Sequence, residues 1–250
     1  MRERPVLTFD ICSSTSMLED LHRTNTIEEY TVLISDIMTF LKSNSTQYGY
    51  EIYKFLGDGF ILIFQDSTLI DSILEFCVAL TNDCNAYIEK FISEKIEAET
   101  GILRKGITIG IDRGYVSKLS INGKDEYVGR PINVSTRLQS SLDKKEHANR
   151  VLMSFKLYRE IEELRFKSLC TETTRILKNI ANDEKLKCYE LDVSYYLCKD
   201  EAILRPPIKK KIEKKGMHSS LEEFSLLLRK NATAASTTSI SILLRNESEN

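Results

Sequence analysis

The stretch Glu51–Gln65, EIYKFLGDGFILIFQ, constrains the fold more than any other part of the sequence. Two runs rich in β-branched and aromatic residues flank Asp58-Gly59, and an Asp-Gly pair in that setting is the signature of a hairpin with a tight turn. Upstream, residues 5–11 (PVLTFDI) read as a short buried strand, and Ser13-Ser14-Thr15 supply hydroxyls where a helix should start. Apolar positions from Met17 to Leu41 recur at helical spacing over one or two helices, and a second long amphipathic helix is expected over 67–97. Residues 105–121 are strand-like with a glycine-containing break near Arg113-Gly114, and residues 131–142 form a helix entered through proline. A strand (Val151–Ser154), a helix (155–163) and two strands (168–177 and 186–193) follow. The order β-α-β-β-α-β, then α-β-α-β-β, predicts an α+β fold: a ferredoxin-like βαββαβ core with a small added αβ subdomain.

The chain has 250 residues, enough for one sizeable domain, assigned to 1–199, plus appendages. From 200 to 250 the character changes. Arg205-Pro206-Pro207 and the lysines of 209–215 read as a basic, solvated linker, Ser219–Arg229 as a short amphipathic helix, and Asn231–Asn250 as a Ser/Thr/Asn-rich tail. A net charge of −2 supplies no global basic field, so no nucleic-acid partner is expected. The first residues lack the apolar core of a signal peptide, and no apolar run approaches the ~20 residues of a membrane span. The six cysteines are scattered without metal-ligand spacing and read as reduced thiols. A cytoplasmic protein is expected.

Two carboxylates stand out. Asp10 ends the first strand and Asp58 sits at the hairpin tip, and in a βαββ arrangement these strands are neighbours, so both side chains can approach one spot. Singly, Asp58 is a common turn residue and Asp10 a common helix cap. Together they form the oxygen-rich site that Mg2+ or Mn2+ requires when substrate phosphates complete the shell. The hydroxyls and backbone N–H groups of Ser13, Ser14 and Thr15 at a helix start make a natural phosphate cradle, though such residues more often only cap. Asn133 and Arg137 are four apart on one helix and share a face. Taken alone they would decorate a solvent-facing helix.

Three stretches, LTFDICSST, KFLGDG and GRPINVSTRLQ, together resemble the class III nucleotidyl cyclase catalytic domain, and ILKNI (176–180) resembles that family's lysine-containing segment before its last strand. The resemblance spans residues 5 to about 193. It implies that Asp10 and Asp58 hold two divalent ions (Mn2+ or Mg2+), with Ile11 lending a backbone carbonyl. It implies that Asn133 orients the ribose, that Arg137 meets charge developing on the transferring phosphate, and that Lys178 contacts the terminal phosphates. The glycine that usually follows that lysine is Asn179 here. Lys54 matches a base-contacting lysine, and Glu126 falls where the family places a second base reader. The resemblance further implies a nucleoside triphosphate substrate and a head-to-tail homodimer in which the aspartates of one subunit meet the Asn/Arg helix of the other.

The base is the open question at this stage. Lys54 donates and an ionised Glu126 accepts, and the pair matches neither the adenine nor the guanine readers of the family. Glutamate reaches further than aspartate and suits a smaller ring. The chain therefore looks like the bacterial pyrimidine cyclases of the Pycsar antiphage type, making cyclic UMP ahead of cyclic CMP for a separate effector that senses the cyclic nucleotide. Competing readings are an adenylate cyclase, since Lys54 is retained, a cyclase-like domain that binds nucleotide or partner without chemistry, and a dinucleotide cyclase or polymerase palm, which would not call for the Asn133/Arg137 helix.

Overall fold

The structure, a computed structural model, describes residues 2–95, 105–142, 147–180, 182 and 184–197. The linker, the 219–229 helix, the tail, Cys198 and the last two residues of the expected 67–97 helix lie outside the described residues.

Strand β1 (Arg2–Ile11) leads into helices α1 (Ser14–Arg23) and α2 (Glu29–Tyr48), then the hairpin β2 (Tyr50–Phe55) and β3 (Gly59–Phe64), helix α3 (Ile70–Lys95) and the long strand β4 (Ile107–Ile121). These strands stand in the order β2-β3-β1-β4, all antiparallel, which is the ferredoxin-like arrangement. Strand β5 (Lys124–Val128), helix α4 (Arg130–Ser140), strand β6 (Arg150–Ser154), helices α5 (Phe155–Glu160) and α6 (Leu164–Lys167), strands β7 (Cys170–Ile176) and β8 (Lys185–Asp192) and helix α7 (Ser194–Leu197) complete the described chain. The added segment extends the same sheet: β6 joins β4 in parallel, and β8 and β7 follow antiparallel.

Side chains alternate across β1. Leu7, Phe9 and Ile11 face the core built with Leu33, Ile37 and Leu41 of α2 and Ile73, Leu74, Cys77 and Leu80 of α3. Thr8 lies on the opposite face, where its hydroxyl meets those of Ser135 and Thr136 on α4. Helix α4 presses its apolar residues Val134 and Leu138 onto a second cluster with Leu142, Leu152, Leu177 and Cys188. Its approach to β4 is so close that a Cβ at Gly110 would stand 2.1 Å from the carbonyl oxygen of Ser135, so only glycine fits there.

Two expectations are corrected. The break near Arg113-Gly114 does not occur, because Arg113 and Gly114 pair with Pro5 and Arg4 of β1 and the strand runs straight through. The second half of β4 then pairs with β5, a strand not expected from sequence, across a turn at Asn122 (φ 53°) and Gly123 (φ 74°).

Candidate active site

Asp10 is the penultimate residue of β1 and stands opposite Gly59, the first residue of β3. A Cβ at position 59 would lie 2.0 Å from the carbonyl oxygen of Phe9, so glycine lets the hairpin close onto the strand that carries Asp10. The turn is shifted by one residue from the expected Asp58-Gly59 pair: Leu56 N–H donates to the Gly59 carbonyl at 2.9 Å, leaving Gly57 (φ 100°) and Asp58 as the central residues. The Asp58 carbonyl accepts from the backbone N–H of Ile11 at 3.1 Å, and its carboxylate accepts from the Ser14 hydroxyl at 2.5 Å. One strand end, one hairpin tip and one helix start are thereby tied together. Buried beside them on α2, the Tyr30 phenol has its pKa pushed up, first by burial and then by the charges of Asp58 and Asp10.

Ser14 is buried with its hydroxyl turned to Asp58, Ser13 takes the left-handed conformation at the N-cap without a side-chain capping bond, and Thr15 is exposed. Among the described residues no third His, Cys, Asp or Glu joins a cluster able to hold a metal. The donor set fits a divalent ion of the Mg2+ or Mn2+ kind: two hard carboxylates and backbone carbonyls, with positions left for substrate oxygens.

A cavity of about 610 Å³ lies between β2–β3, β5, α4 and the segment after β7. Lys54, Asn133, Arg137 and Lys178 all line it, with Ile61, Ile132 and Ile180 supplying apolar wall. Asn133 and Arg137 project from the exposed side of α4, one turn apart. Lys178 and Asn179 come from the turn after β7, where Asn179 has φ 62°. Asparagine tolerates that left-handed conformation better than other non-glycine residues, so it can occupy a place suited to glycine. Asp10 and Asp58 are not among the lining residues.

The sequence matches no family profile and no curated protein. Solved structures do match. The adenylyl cyclase CyaB from P. aeruginosa is 20% identical, with a TM-score of 0.58 over 76% of this chain and 93% of its own. The guanylate cyclase domain of RhGC from Catenaria anguillulae, in complex with GTP, is 17% identical, with a TM-score of 0.53 over 76% and 95% of the two chains. Adenylate cyclases from Trypanosoma brucei, in their monomeric state, give 17%, 0.53, 76% and 90% in the same order. This chain has the fold of the nucleotidyl cyclase catalytic domains.

Within that cyclase fold, Glu126 is not a lining residue. It sits half-buried on β5, and its carboxylate accepts a hydrogen bond from the Tyr53 hydroxyl at 2.7 Å. Tyr53 itself lines the cavity beside Lys54. Consecutive strand residues normally point to opposite faces, and here the pairing of β2 with β3 shifts register between Ile52 and Lys54. Tyr127, also lining, donates to Glu51 at 2.6 Å and meets Tyr53 edge to face at 5.2 Å between ring centroids. Each of two carboxylates therefore accepts from one of a pair of tyrosines that line the cavity. Sequence reasoning overlooked both rings. The alternation in EIYKF assigns Tyr53 to the other face, and Tyr127 falls on the unanticipated β5.

No helix among the described residues is long and apolar enough to cross a membrane.

Proposed function

We propose that this protein is a nucleotidyl cyclase that converts a pyrimidine nucleoside triphosphate, UTP ahead of CTP, into its 3′,5′-cyclic monophosphate and diphosphate. The observation that carries the reading is the gathering of Lys54, Asn133, Arg137 and Lys178 around one cavity, in a chain that also sets Asp10 opposite Gly59, next to the Asp58 of the hairpin turn. In the reaction the ribose 3′-oxygen bonds to the α-phosphorus, its proton leaves, and the bond to the β-phosphate oxygen breaks with the electron pair departing on diphosphate. Asp10, Asp58 and the Ile11 carbonyl would hold two divalent ions, which supply Lewis acidity to the 3′-hydroxyl and neutralise the triphosphate. The planar guanidinium of Arg137 suits two-point contact with the transferring phosphate, and Asn133, one turn away, can hold the ribose. Lys178 meets the terminal phosphates, and Lys54 donates to the base.

Since the carboxylates do not line the cavity, we infer that a complete site forms between two chains in a head-to-tail homodimer, the aspartates of one facing the cavity of the other. The pyrimidine preference rests on the resemblance, with Tyr53 and Tyr127 lining the cavity beside Lys54. A role in antiphage defence through a separate cyclic-nucleotide-sensing effector rests on the resemblance to Pycsar cyclases alone. The second reading, an adenylate cyclase, is favoured by Lys54 in the cavity.

Purified protein incubated with Mn2+ and each of ATP, GTP, CTP and UTP, with products identified by mass spectrometry, tests the proposal. Cyclic UMP is the expected product. Cyclic AMP alone would give the chain to the second reading, and no cyclic product from any of the four would overturn the assignment.

A further inference from the structure

Ser135 and Gln139 on the buried face of α4 make polar contacts with the strands beneath it at two places, two residues apart along the β1–β4 ladder. Thr8 pairs with Gly110 in the β1–β4 ladder, and the Thr8 hydroxyl meets the Ser135 hydroxyl at 3.0 Å. Asp10 pairs with Thr108 two residues along, and there the Gln139 amide nitrogen donates to the Thr108 hydroxyl at 2.8 Å and to the Asp10 carboxylate at 3.4 Å. Ser135 and Gln139 are one helical turn apart on the inner side of α4, as Asn133 and Arg137 are on the outer side. Gln139 is 5% exposed and Thr108 fully buried, so neither amide nor hydroxyl can exchange its partner for bulk water. An amide nitrogen only donates, which fixes the polarity of the contact: Gln139 donates and the Asp10 carboxyl oxygen accepts.

We propose that Gln139 is a positioning residue: its amide, anchored on Thr108, orients the Asp10 carboxylate for the divalent ion and ties it to the helix that carries Asn133 and Arg137. The inference rests on the cyclase reading above. In the proposed dimer, Asp10 serves one composite site while Asn133 and Arg137 of the same chain serve the other. Gln139 is then a direct polar link between the two sites. Helix α4 cannot slide to absorb a change at Asp10, because its backbone already stands against Gly110.

The experiment is a titration of the full chain with Mn2+ alone, read by electron paramagnetic resonance and by the thermal midpoint, with no nucleotide present. Gln139→Met keeps the length of the side chain and removes the donor. We expect its Mn2+ half-saturation to rise about three- to tenfold while the midpoint without metal stays at the wild-type value. Thr108→Val leaves Gln139 in place but removes its anchor, should weaken Mn2+ in the same direction, and serves if the Met variant fails to fold. Wild-type affinity in both variants overturns the positioning role. A lowered midpoint with unchanged Mn2+ affinity gives Gln139 a purely structural place and overturns it also. Wild-type protein that binds no Mn2+ would instead remove the metal site, and with it the cyclase reading.

In mixed dimers of Asp10→Ala and Arg137→Ala chains, adding Gln139→Met to the Arg137→Ala chain should shift the Mn2+ dependence of cyclisation, because that chain supplies the working Asp10. Adding it to the Asp10→Ala chain should leave that dependence unchanged, and equal shifts from both placements would overturn the assignment.

Discussion

Individual side chains here are set by what they are buried against. Asp112, on β4, is 3% exposed, and burial lifts its carboxyl above the usual range, only partly offset by the Ser154 hydroxyl, the Arg113 backbone and the charges of Arg130 and Lys156. A carboxyl raised in the folded state binds more protons there than in the unfolded chain. Stability is therefore lost as pH climbs from the unfolded value of about 3.9 through the raised one. Asp112→Asn removes that loss. Its thermal midpoint should exceed the wild type's near pH 7 and converge with it near pH 4, and a gap independent of pH would show that burial does not govern the group. In the cavity, Tyr53→Phe releases Glu126 and Lys54→Ala removes the donor proposed to meet the base. Both should change the ratio of cyclic products from an equimolar mixture of the four triphosphates more than total turnover, and a uniform loss of rate would take them out of base reading. At the carboxylate pair, Asp58→Ala should abolish turnover, by more than about a hundredfold, with an unchanged circular dichroism spectrum, and retained activity would remove Asp58 from the metal site.

Secondary-structure elements were legible to different depths, and the reason is how local their causes are. The hairpin, the helix entered through Pro131 and the long α3 are written in turn chemistry and helical spacing, so they stand where the sequence puts them, within a few residues. Strand β5 was equally readable, since Asn122-Gly123 between Ser-Ile and Lys-Asp-Glu-Tyr-Val is a hairpin signal as strong as Asp58-Gly59. The register shift that turns Tyr53 into the cavity was not readable, because it exists only in the pairing with β3. The same holds for β6, β8 and β7 joining the main sheet, a matter of strand order over long range. Of the candidate site, Asp10, Asp58, Asn133, Arg137, Lys54 and Lys178 were all named from sequence; the structure sets Asp10 opposite Gly59, the neighbour of Asp58, and lines one cavity with the other four. Gln139 was hidden because a buried glutamine at helical spacing gives no sign of the strand it will meet. The seat of α4 yields its own prediction. Gly110→Ala drives a methyl group into helix backbone and should cost at least about 3 kcal/mol, read as a shift in the urea midpoint. A near-neutral result would mean that α4 can lift from the sheet.

At the scale of the whole molecule, the proposed head-to-tail dimer makes each chain half of two sites. Mixing Asp10→Ala and Arg137→Ala chains, each inactive alone, should therefore recover about a quarter of wild-type activity, since half of the randomly paired dimers hold one whole site of two. A mixture as inactive as its components would place both halves of the site in a single chain. The proposed pairing also bears on how much protein a cell must hold. A catalyst that exists only as a pair obeys mass action, so below the dimer dissociation constant halving the amount of chain cuts the output about fourfold. Trace synthesis would then be silent without any inhibitor, and gene dosage itself would act as a threshold on the signal.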